Sequence, residues 1–349
     1  MNTNTLPLVS VIITSYNCEK YIADAIQSAC QQDYCNLEII ISDNCSSDRS
    51  PEIIESYLSD KRIRYSRNNK NIGMMANFLK ATKELANGEY VTYISSDDFL
   101  INSSFISDAI KILNKYSSVE MAHGVNLSKF EQENLTQVDY SASFYQNIYY
   151  NKEYVSGIDV IKSFPKCHAV SFGGSIFNRS RLLDCEPFKD NTLSGDTQVI
   201  LQLLLKCDVA FINKHTYIAR RHSGSATFSQ ASARVYINNL AYIDKPFSLY
   251  LTDENFTTSE AEKWRIEMYI NACRHSLIKL YVADRTEFYI FKEYLKSNHF
   301  IVYNRITNNL RWLIFLLLNK NVTIATRAEK FRKYISVIKL KLTKYFKKC

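Results

Sequence analysis

Two hydrophobic periods alternate along the first hundred residues. Leu8-Val-Ser-Val-Ile-Ile-Thr14 is a short, β-rich, nearly continuous apolar run, the pattern of a strand buried on both faces. Glu19 to Gln31 follows with apolar residues at 22, 25, 26, 29 and 30, one face of a helix. Leu37-Glu-Ile-Ile-Ile41 repeats the buried-strand pattern and ends at Ser42-Asp43-Asn44. Ser47 or Asp48 is placed to cap the next helix, with Pro51 near its first turn and Ile53, Ile54, Tyr57 and Leu58 on one face. Arg62 to Ser66 predicts a short edge strand, Met74 to Ala86 a helix, and Tyr90 to Ile94 a further buried strand after Gly88. Strand and helix alternate through short connections. The expected fold is therefore α/β, a mostly parallel sheet flanked by helices.

Beyond residue 100 the pattern loosens. Phe105 to Tyr116 predicts a helix and Val119 to Leu127 a strand, while 130–155 is polar and Tyr-rich, a candidate wall over a site. His168 to Phe177 contains Phe172-Gly-Gly-Ser175, strand-like, with close backbone approach at its glycines. Thr197 to Lys206 carries apolar residues at 199, 200, 203 and 204 and predicts a helix. Val209–Ile212 and Thr216–Ala219 predict a closing pair of strands. From 231 onward the periodicity is helical. The expectation is one α/β domain over 1–230 and a helical C-terminal region over 231–349, with no internal repeat.

Composition narrows the class. At 46% hydrophobic and 22% charged residues the chain is an ordinary globular protein. Its nine cysteines are odd in number and scattered, with no C-x-x-C, which argues against a disulfide framework or a zinc site and for a reducing compartment. No signal-peptide pattern opens the chain, and no apolar run approaches the length of a transmembrane helix. The net charge of +8 is concentrated: residues 327–349 hold nine Lys/Arg against Glu329 alone, so the rest of the chain is balanced. On a helix, Phe331, Ile335, Ile338, Leu342 and Tyr345 would share one face, with lysines filling much of the remainder. That profile suits an anionic membrane surface, with Trp312–Leu318 able to dip into the same interface. The alternative is an apolar face packed on the body. No nucleic-acid-binding motif accompanies the charge.

Three predicted strands end in polar clusters, Thr14-Ser-Tyr-Asn17, Ser42-Asp-Asn44 and Ser95-Ser-Asp-Asp98. In parallel sheets ligands bind beyond the carboxyl ends of the strands. The adjacent carboxylates of Asp97 and Asp98 repel each other, a cost tolerated where a cation sits between them and a ligand. Oxygen donors suit Mg²⁺ or Mn²⁺, which also take diphosphate oxygens. The plainer alternative is a polar turn whose Asp97 or Asp98 caps the helix starting near Ser103. Neither G-x-G nor G-K-[ST] occurs, so both the dinucleotide fingerprint and the P-loop are absent.

Val11-Ile-Ile-Thr-Ser-Tyr-Asn17, Ile41-Ser-Asp-Asn-Cys-Ser-Ser-Asp48, Asn77 before a helix ending at Gly88-Glu-Tyr, Ser96-Asp-Asp98 and Leu193-Ser-Gly-Asp-Thr-Gln198 occur in an order and spacing that resemble family 2 glycosyltransferases with the Rossmann-like GT-A fold. The resemblance covers roughly residues 7–225. It implies that Thr14, Tyr16, Asn17 and Asp43 contribute to nucleoside binding, with an aromatic face for the base and a carboxylate for its N–H. It implies that Asp97 and Asp98 share ribose contact and ligation of Mn²⁺ or Mg²⁺, with the balance toward Asp98 on the metal and His222 as a third ligand or diphosphate contact. Ser95 stands where many members have an acid. It implies Asp196 as general base of an inverting transfer, with Asp184, Glu186 and Asp190 as nearby rivals. Asp196 and Asp48 are equally helix-cap candidates, and Arg220 and Arg221 are either phosphate contacts or surface charge. His168 with Gly173 and Gly174 lines the acceptor side or simply packs.

The expected activity is transfer of a sugar from a nucleotide donor, UDP-linked, to a saccharide or lipid-linked saccharide, in the cytoplasm on the inner face of a membrane. A sugar nucleotidyltransferase is disfavoured by the missing glycine-rich phosphate loop. A non-catalytic nucleotide- or glycan-binding scaffold is the alternative from another class.

Overall fold

The structure is a computed structural model and describes residues 6–130, 135–138, 149, 152–166, 168–189, 192–222 and 232–309. The first compact unit comprises residues up to 230 together with 239–267, and the second comprises 231–238 with the chain from 268 on. The first unit opens β1 (Val9–Ser15), α1 (Ile22–Cys30), β2 (Leu37–Asp43), α2 (Ser50–Glu55), β3 (Ile63–Arg67), α3 (Met74–Lys80) and β4 (Tyr90–Ser95). It continues through β5 (Phe99–Leu100), α4 (Phe105–Lys115), β6 (Val119–Phe130), β7 (Leu135–Val138), β8 (Tyr154–Val155), α5 (Gly157–Ser163), β9 (Ser175–Asn178), α6 (Arg179–Leu183), α7 (Gly195–Leu203) and β10 (Asp208–Arg221).

The strand order is β3-β2-β1-β4-β9-β6-β10-β5, with β7 on β6 and β8 on β10. The β3, β2, β1 and β4 neighbours are all parallel, as the near-continuous apolar runs require. Val9, Val11, Ile12, Ile13, Ile39, Ile41, Val91 and Ile94 are fully buried between the helical layers. Ile22, Ala25, Ile26 and Ala29 press α1 onto this sheet, and Phe105, Ile106, Ala109, Ile110 and Leu113 do the same for α4. Strand β9 runs antiparallel between β4 and β6 and joins the first parallel block to a second, the parallel pair β6–β10.

Three elements differ from their predicted form. The two strands expected over 209–219 are one 14-residue strand, β10, which stays continuous by absorbing register irregularities around His215. The helix expected from Met74 to Ala86 is α-helical only to Lys80 and closes in one π-helical turn, Ala81–Leu85. There Thr82 Oγ1 bonds the Phe78 carbonyl at 2.7 Å and the Tyr93 hydroxyl at 2.6 Å. The strand expected from His168 is confined to Ser175–Asn178, because Gly174 has φ +71° and turns the chain just before it.

Helices α8 (Ala233–Asn239), α9 (Ala241–Tyr250), α10 (Thr258–Ala283), α11 (Arg285–Asn298) and α12 (Phe300–Thr307) follow. Residues 239–267 belong with the first unit: Tyr250 Oη donates to the Leu201 carbonyl at 3.0 Å and Trp264 Nε1 to the Ile161 carbonyl at 2.9 Å. In the second unit Cys273, Leu277 and Leu280 of α10, Phe288, Phe291 and Leu295 of α11, and Val302 and Ile306 of α12 are buried. Asp284 caps α11 by accepting from the Thr286 and Glu287 N–H groups at 2.7 and 3.2 Å. Among the described residues no helix is long and apolar enough to cross a membrane. Trp312–Leu318 and the basic stretch 327–349 lie outside the described residues.

Candidate active site

Parallel pairing brings the three polar strand ends to one edge. Thr14 of β1 is in register with Ser42 of β2 on one side and Ser95 of β4 on the other, and Ser15 with Asp43. The loop after β1 leaves Tyr16 half exposed and turns at Asn17, whose φ of +48° is left-handed, a conformation Asn tolerates. Asn17 Oδ1 accepts from Ser47 N–H at 2.7 Å, and Ser46 Oγ accepts from Asn17 N–H at 2.9 Å, so the β1 and β2 loops are tied together. Asp48 adds two ties, accepting from Ser50 N–H at the start of α2 (3.0 Å) and from Glu19 N–H (2.8 Å). Burial works against its carboxylate, but these hydrogen bonds outweigh it and hold the group below its ordinary range.

Asp43 is fully buried. Its Oδ1 accepts from the Ser46 N–H at 3.0 Å and Ser46 hydroxyl at 2.5 Å, while Oδ2 faces Tyr65 Oη at 3.1 Å and Arg67 Nε at 3.3 Å. Four donors fill a carboxylate's acceptor capacity. A base N–H could reach Asp43 only by displacing one of them.

Asp97 and Asp98, adjacent in sequence, have different surroundings. Asp98 Oδ2 accepts from Tyr217 Oη and Oδ1 from the Arg220 N–H, both at 2.7 Å. Burial first, and the neighbouring Asp97 charge second, push its carboxyl up to about 7 against the pull of those two hydrogen bonds. Asp97 instead holds its Oδ2 3.1 Å from His222 Nε2, the imidazole N–H donating. The His222 ring lies 5.0 Å from that of Tyr21. Asp98 therefore binds the loop to β10, while the carboxylate available toward a ligand beside His222 is that of Asp97.

Arg220 is neither surface charge nor displayed for phosphate: it is 6% exposed. Among the described residues no group of three or more His, Cys, Asp or Glu is gathered around one point. Asp97 and His222 could hold a cation through one oxygen and one imidazole nitrogen, with substrate oxygens and water supplying the rest.

Asp196 lies in the first turn of α7, two residues past the N-cap Ser194, and does not cap the helix. Its Oδ1 accepts from the Thr197 N–H at 2.7 Å, and burial pushes the carboxyl above its ordinary value despite that bond. Among the described residues its hydrogen bonds stay within that turn, with none to the Asp97–His222 pair. Asn239 anchors the turn, accepting from Ser194 N–H at 2.8 Å and donating to Ser194 Oγ at 3.0 Å. Of the rivals, Asp184 ends α6, Glu186 is exposed and paired with Lys189 at 3.2 Å, and Asp190 lies outside the described residues. His168 packs its ring against Phe164 at 4.6 Å. A Cβ at Gly173 would meet the Tyr217 ring at 2.7 Å, so this glycine makes room for the residue that holds Asp98.

Sequence reasoning missed Tyr217, Tyr21 and the true place of Arg220. The alternation along β10 carries no mark of which residues meet the β4 loop, a contact set by the Ile218–Phe99 and Tyr217–Leu100 register.

The model of the family described as glycosyl transferase family 2 matches residues 10–172. The Staphylococcus aureus poly(ribitol-phosphate) β-N-acetylglucosaminyltransferase TarS is 32% identical over 111 residues, 31% of this chain and 19% of that protein. The Escherichia coli UDP-Glc:α-D-GlcNAc-diphosphoundecaprenol β-1,3-glucosyltransferase WfaP is 36% identical over 108 residues, 31% of this chain and 42% of that protein. The chain thus spans less than half the length of each of these relatives. Its fold matches the crystal structure of S. aureus TarS with UDP-GlcNAc at a TM-score of 0.60 and 19% identity, over 78% of this chain and 81% of that one. It also matches the Pyrobaculum calidifontis mannosyltransferase PcManGT, solved with GDP-Man and Mn²⁺, at a TM-score of 0.53 and 14% identity, over 90% and 80%. At such identities the structural likeness speaks for the fold, and it agrees with the GT-A architecture expected from the motifs. Residues 10–172 form a glycosyl transferase family 2 domain on a GT-A fold.

Proposed function

We propose that this chain is an inverting glycosyltransferase that moves a sugar from a UDP-sugar to a hydroxyl of a surface-glycan or lipid-linked saccharide acceptor. The observation that carries the reading is the Asp97–His222 pair, 3.1 Å apart, at the carboxyl edge of a parallel sheet whose other strand ends present Thr14, Tyr16 and Asn17. The uridine donor is supported by TarS having been crystallised with UDP-GlcNAc and by UDP-Glc in the name of WfaP. The acceptor class is supported by poly(ribitol-phosphate) and a diphosphoundecaprenol-linked sugar in the same names.

Tyr16 offers its ring to the base, and Thr14 and Asn17 shape the loop beneath it. Asp43, its acceptor sites filled by the protein, would act by fixing that loop. Asp97 and His222 would hold the cation, with Asp98 fixing the loop that carries Asp97. One carboxylate oxygen and one imidazole nitrogen suit Mn²⁺ better than Mg²⁺, which prefers oxygen throughout. When bound, such an ion supplies positive charge for the departing diphosphate. Asp196, its basicity raised by burial, takes the proton of the acceptor hydroxyl as that oxygen attacks the anomeric carbon. The basic stretch 327–349 would hold the protein to the anionic inner face of a cytoplasmic membrane.

Calorimetric titration with UDP, with and without Mn²⁺, tests the donor side on wild type and on Asp97→Asn. The expected result is binding strengthened by Mn²⁺ in the wild type and a loss of that gain in the variant. Absence of UDP binding under every metal condition would overturn the donor assignment and favour a scaffold.

A further inference from the structure

Arg220 makes an unusual set of contacts for a residue that faces no ligand. Its side chain is 5% exposed. One nitrogen, Nη1, donates to the Asp97 carbonyl at 3.1 Å. The other, Nη2, is paired with the Asp24 carboxylate on α1, itself about half exposed. The guanidinium carbon lies 4.6 Å from the centre of the Phe99 ring and 4.9 Å from that of Tyr21. Its backbone N–H holds Asp98. Tyr21 touches His222 as well. Arg220 therefore reaches both members of the Asp97–His222 pair, Asp97 through its backbone and His222 through the ring of Tyr21.

Burying a guanidinium is costly unless its charge and donors are matched. Here a carboxylate, a carbonyl and two aromatic faces do the matching. The planar fork is essential to this, because a lysine ammonium cannot lie flat between two rings while donating in two fixed directions. Three separate segments meet at this one group: α1 with the residue before it, the Asp97–Phe99 loop, and the end of β10.

We propose that Arg220 is a positioning residue, which fixes the relative placement of Asp97 and His222 and so sets the cation affinity of the site without touching donor or acceptor. This rests on the reading of that pair as the cation site given above. Groups that orient the ligands of a metal without touching it are typically worth about ten- to hundredfold in affinity.

The test uses the full chain, with Arg220→Lys as the first variant and Asp24→Asn as the second. Two quantities are measured: Mn²⁺ affinity by calorimetry, and the position of the His222 ring resonances in histidine-selective NMR without metal. Those resonances carry the ring-current shift from Tyr21. Arg220→Lys is expected to move the His222 resonances and to weaken Mn²⁺ binding about tenfold or more, with UDP affinity in the absence of metal unchanged. If Arg220→Lys fails to fold, Asp24→Asn decides, since it leaves the arginine in place and removes only its half-exposed anchor. The same changes, smaller, are expected there. Unmoved His222 resonances and wild-type Mn²⁺ affinity in a folded variant would overturn the proposal. A wild-type chain that takes up no Mn²⁺ would overturn the metal reading instead, and the metal-free His222 resonances would still decide whether Arg220 positions the pair.

Discussion

The two edges of the parallel sheet each bury a carboxylate, and they treat it in opposite ways. At the amino edge, Glu38 of β2 accepts from the Ser10 hydroxyl at 2.6 Å, the Asn87 N–H at 2.6 Å and Arg64 at 2.9 Å. Burial alone would raise its carboxyl, but these bonds overcome it and hold the group below its ordinary range. At the carboxyl edge Asp98 also has two good hydrogen bonds, yet it is pushed up to about 7 because burial and a second carboxylate outweigh them. The amino edge matches its buried carboxylate with donors, and the carboxyl edge places Asp98 beside a second carboxylate, Asp97. Protein stability alone gives no reason to place two acids side by side. The cation proposed beside Asp97 and His222 would offset that repulsion, while Asp98 stays tied to β10.

The largest test of that contrast is at Asp196. Replacing it with Asn removes the proposed general base while keeping the size of the side chain. Turnover is expected to fall about a thousandfold, within the range general bases contribute. UDP affinity and the thermal midpoint should stay near wild type. Steady-state transfer alongside calorimetry checks this, and turnover at the wild-type rate would remove Asp196 from the mechanism.

Glu38→Gln is the mirror experiment at the amino edge. It leaves the Ser10, Asn87 and Arg64 donors facing a neutral amide, and a loss of about 2–3 kcal/mol is expected, the usual worth of hydrogen bonds to a charged group. Transfer by the folded variant should be unchanged. The pH dependence has a definite sign. The folded-state pKa of Glu38 is depressed, so its contribution is present above the unfolded value of 4.5 and lost as pH falls toward the folded one. Urea unfolding from pH 5 downward through the range below 4.5 measures it, and a wild type–variant difference that stays constant through that range would exclude the role.

A buried histidine separates this acid limb into parts. His123 of β6 faces Ser175 Oγ at 2.8 Å, and burial pushes its imidazole down to about 3. The unfolded chain takes up a proton below about 6.5 while the folded chain refuses it, so stability falls with pH through that window. By pH 5 the loss is about 2 kcal/mol, at 1.36 kcal/mol per pH unit. His123→Gln should flatten the curve between pH 6.5 and 5 and leave the Glu38 limb below 4.5 in place. A curve of unchanged slope would mean that the folded state protonates His123 readily.

Much of this contrast is visible in the amino-acid pattern, and the rest depends on pairings the pattern cannot express. Runs such as Val9–Ile13 and Leu37–Ile41 specify buried parallel strands because no face of them can meet water, and parallel strands must open their carboxyl ends on one edge. The pattern alone therefore places Thr14, Asp43 and Asp97 on one edge. The division of labour between Asp97 and Asp98 was not legible. It is decided by Tyr217 and the Arg220 N–H, more than a hundred residues away, through a two-residue strand pairing. Asp43 and Arg220 show the same limit. By residue type Asp43 reads as a ligand contact and Arg220 as a phosphate contact or surface charge, and each is engaged instead by protein groups whose identity follows only from how the loops fold.

The smallest effect expected concerns Tyr16, which among the described residues stands half exposed beside the β1 end at the carboxyl edge. The inner aromatic residues of this region are committed: Tyr21 to Arg220 and His222, and Tyr217 to Asp98. An exposed ring on a loop fixed by Asn17 and Ser46 has no packing reason to be there, and a flat base has reason to stack on it. Tyr16→Ala should weaken UDP binding by about 1–2 kcal/mol, within the usual worth of one base–aromatic stack. Tyr16→Phe should change it little, because the stacking face is kept and only the hydroxyl is lost. Competition titrations with UDP and ribose 5-phosphate sharpen the point, since the loss in Tyr16→Ala should appear for the nucleotide and not for the sugar phosphate. Equal losses for both ligands would mean that Tyr16 shapes the loop and does not carry the base, and the uridine end of the site would then have to be sought around Asn44 and the loop that Asn68 and Asn71 hold against it.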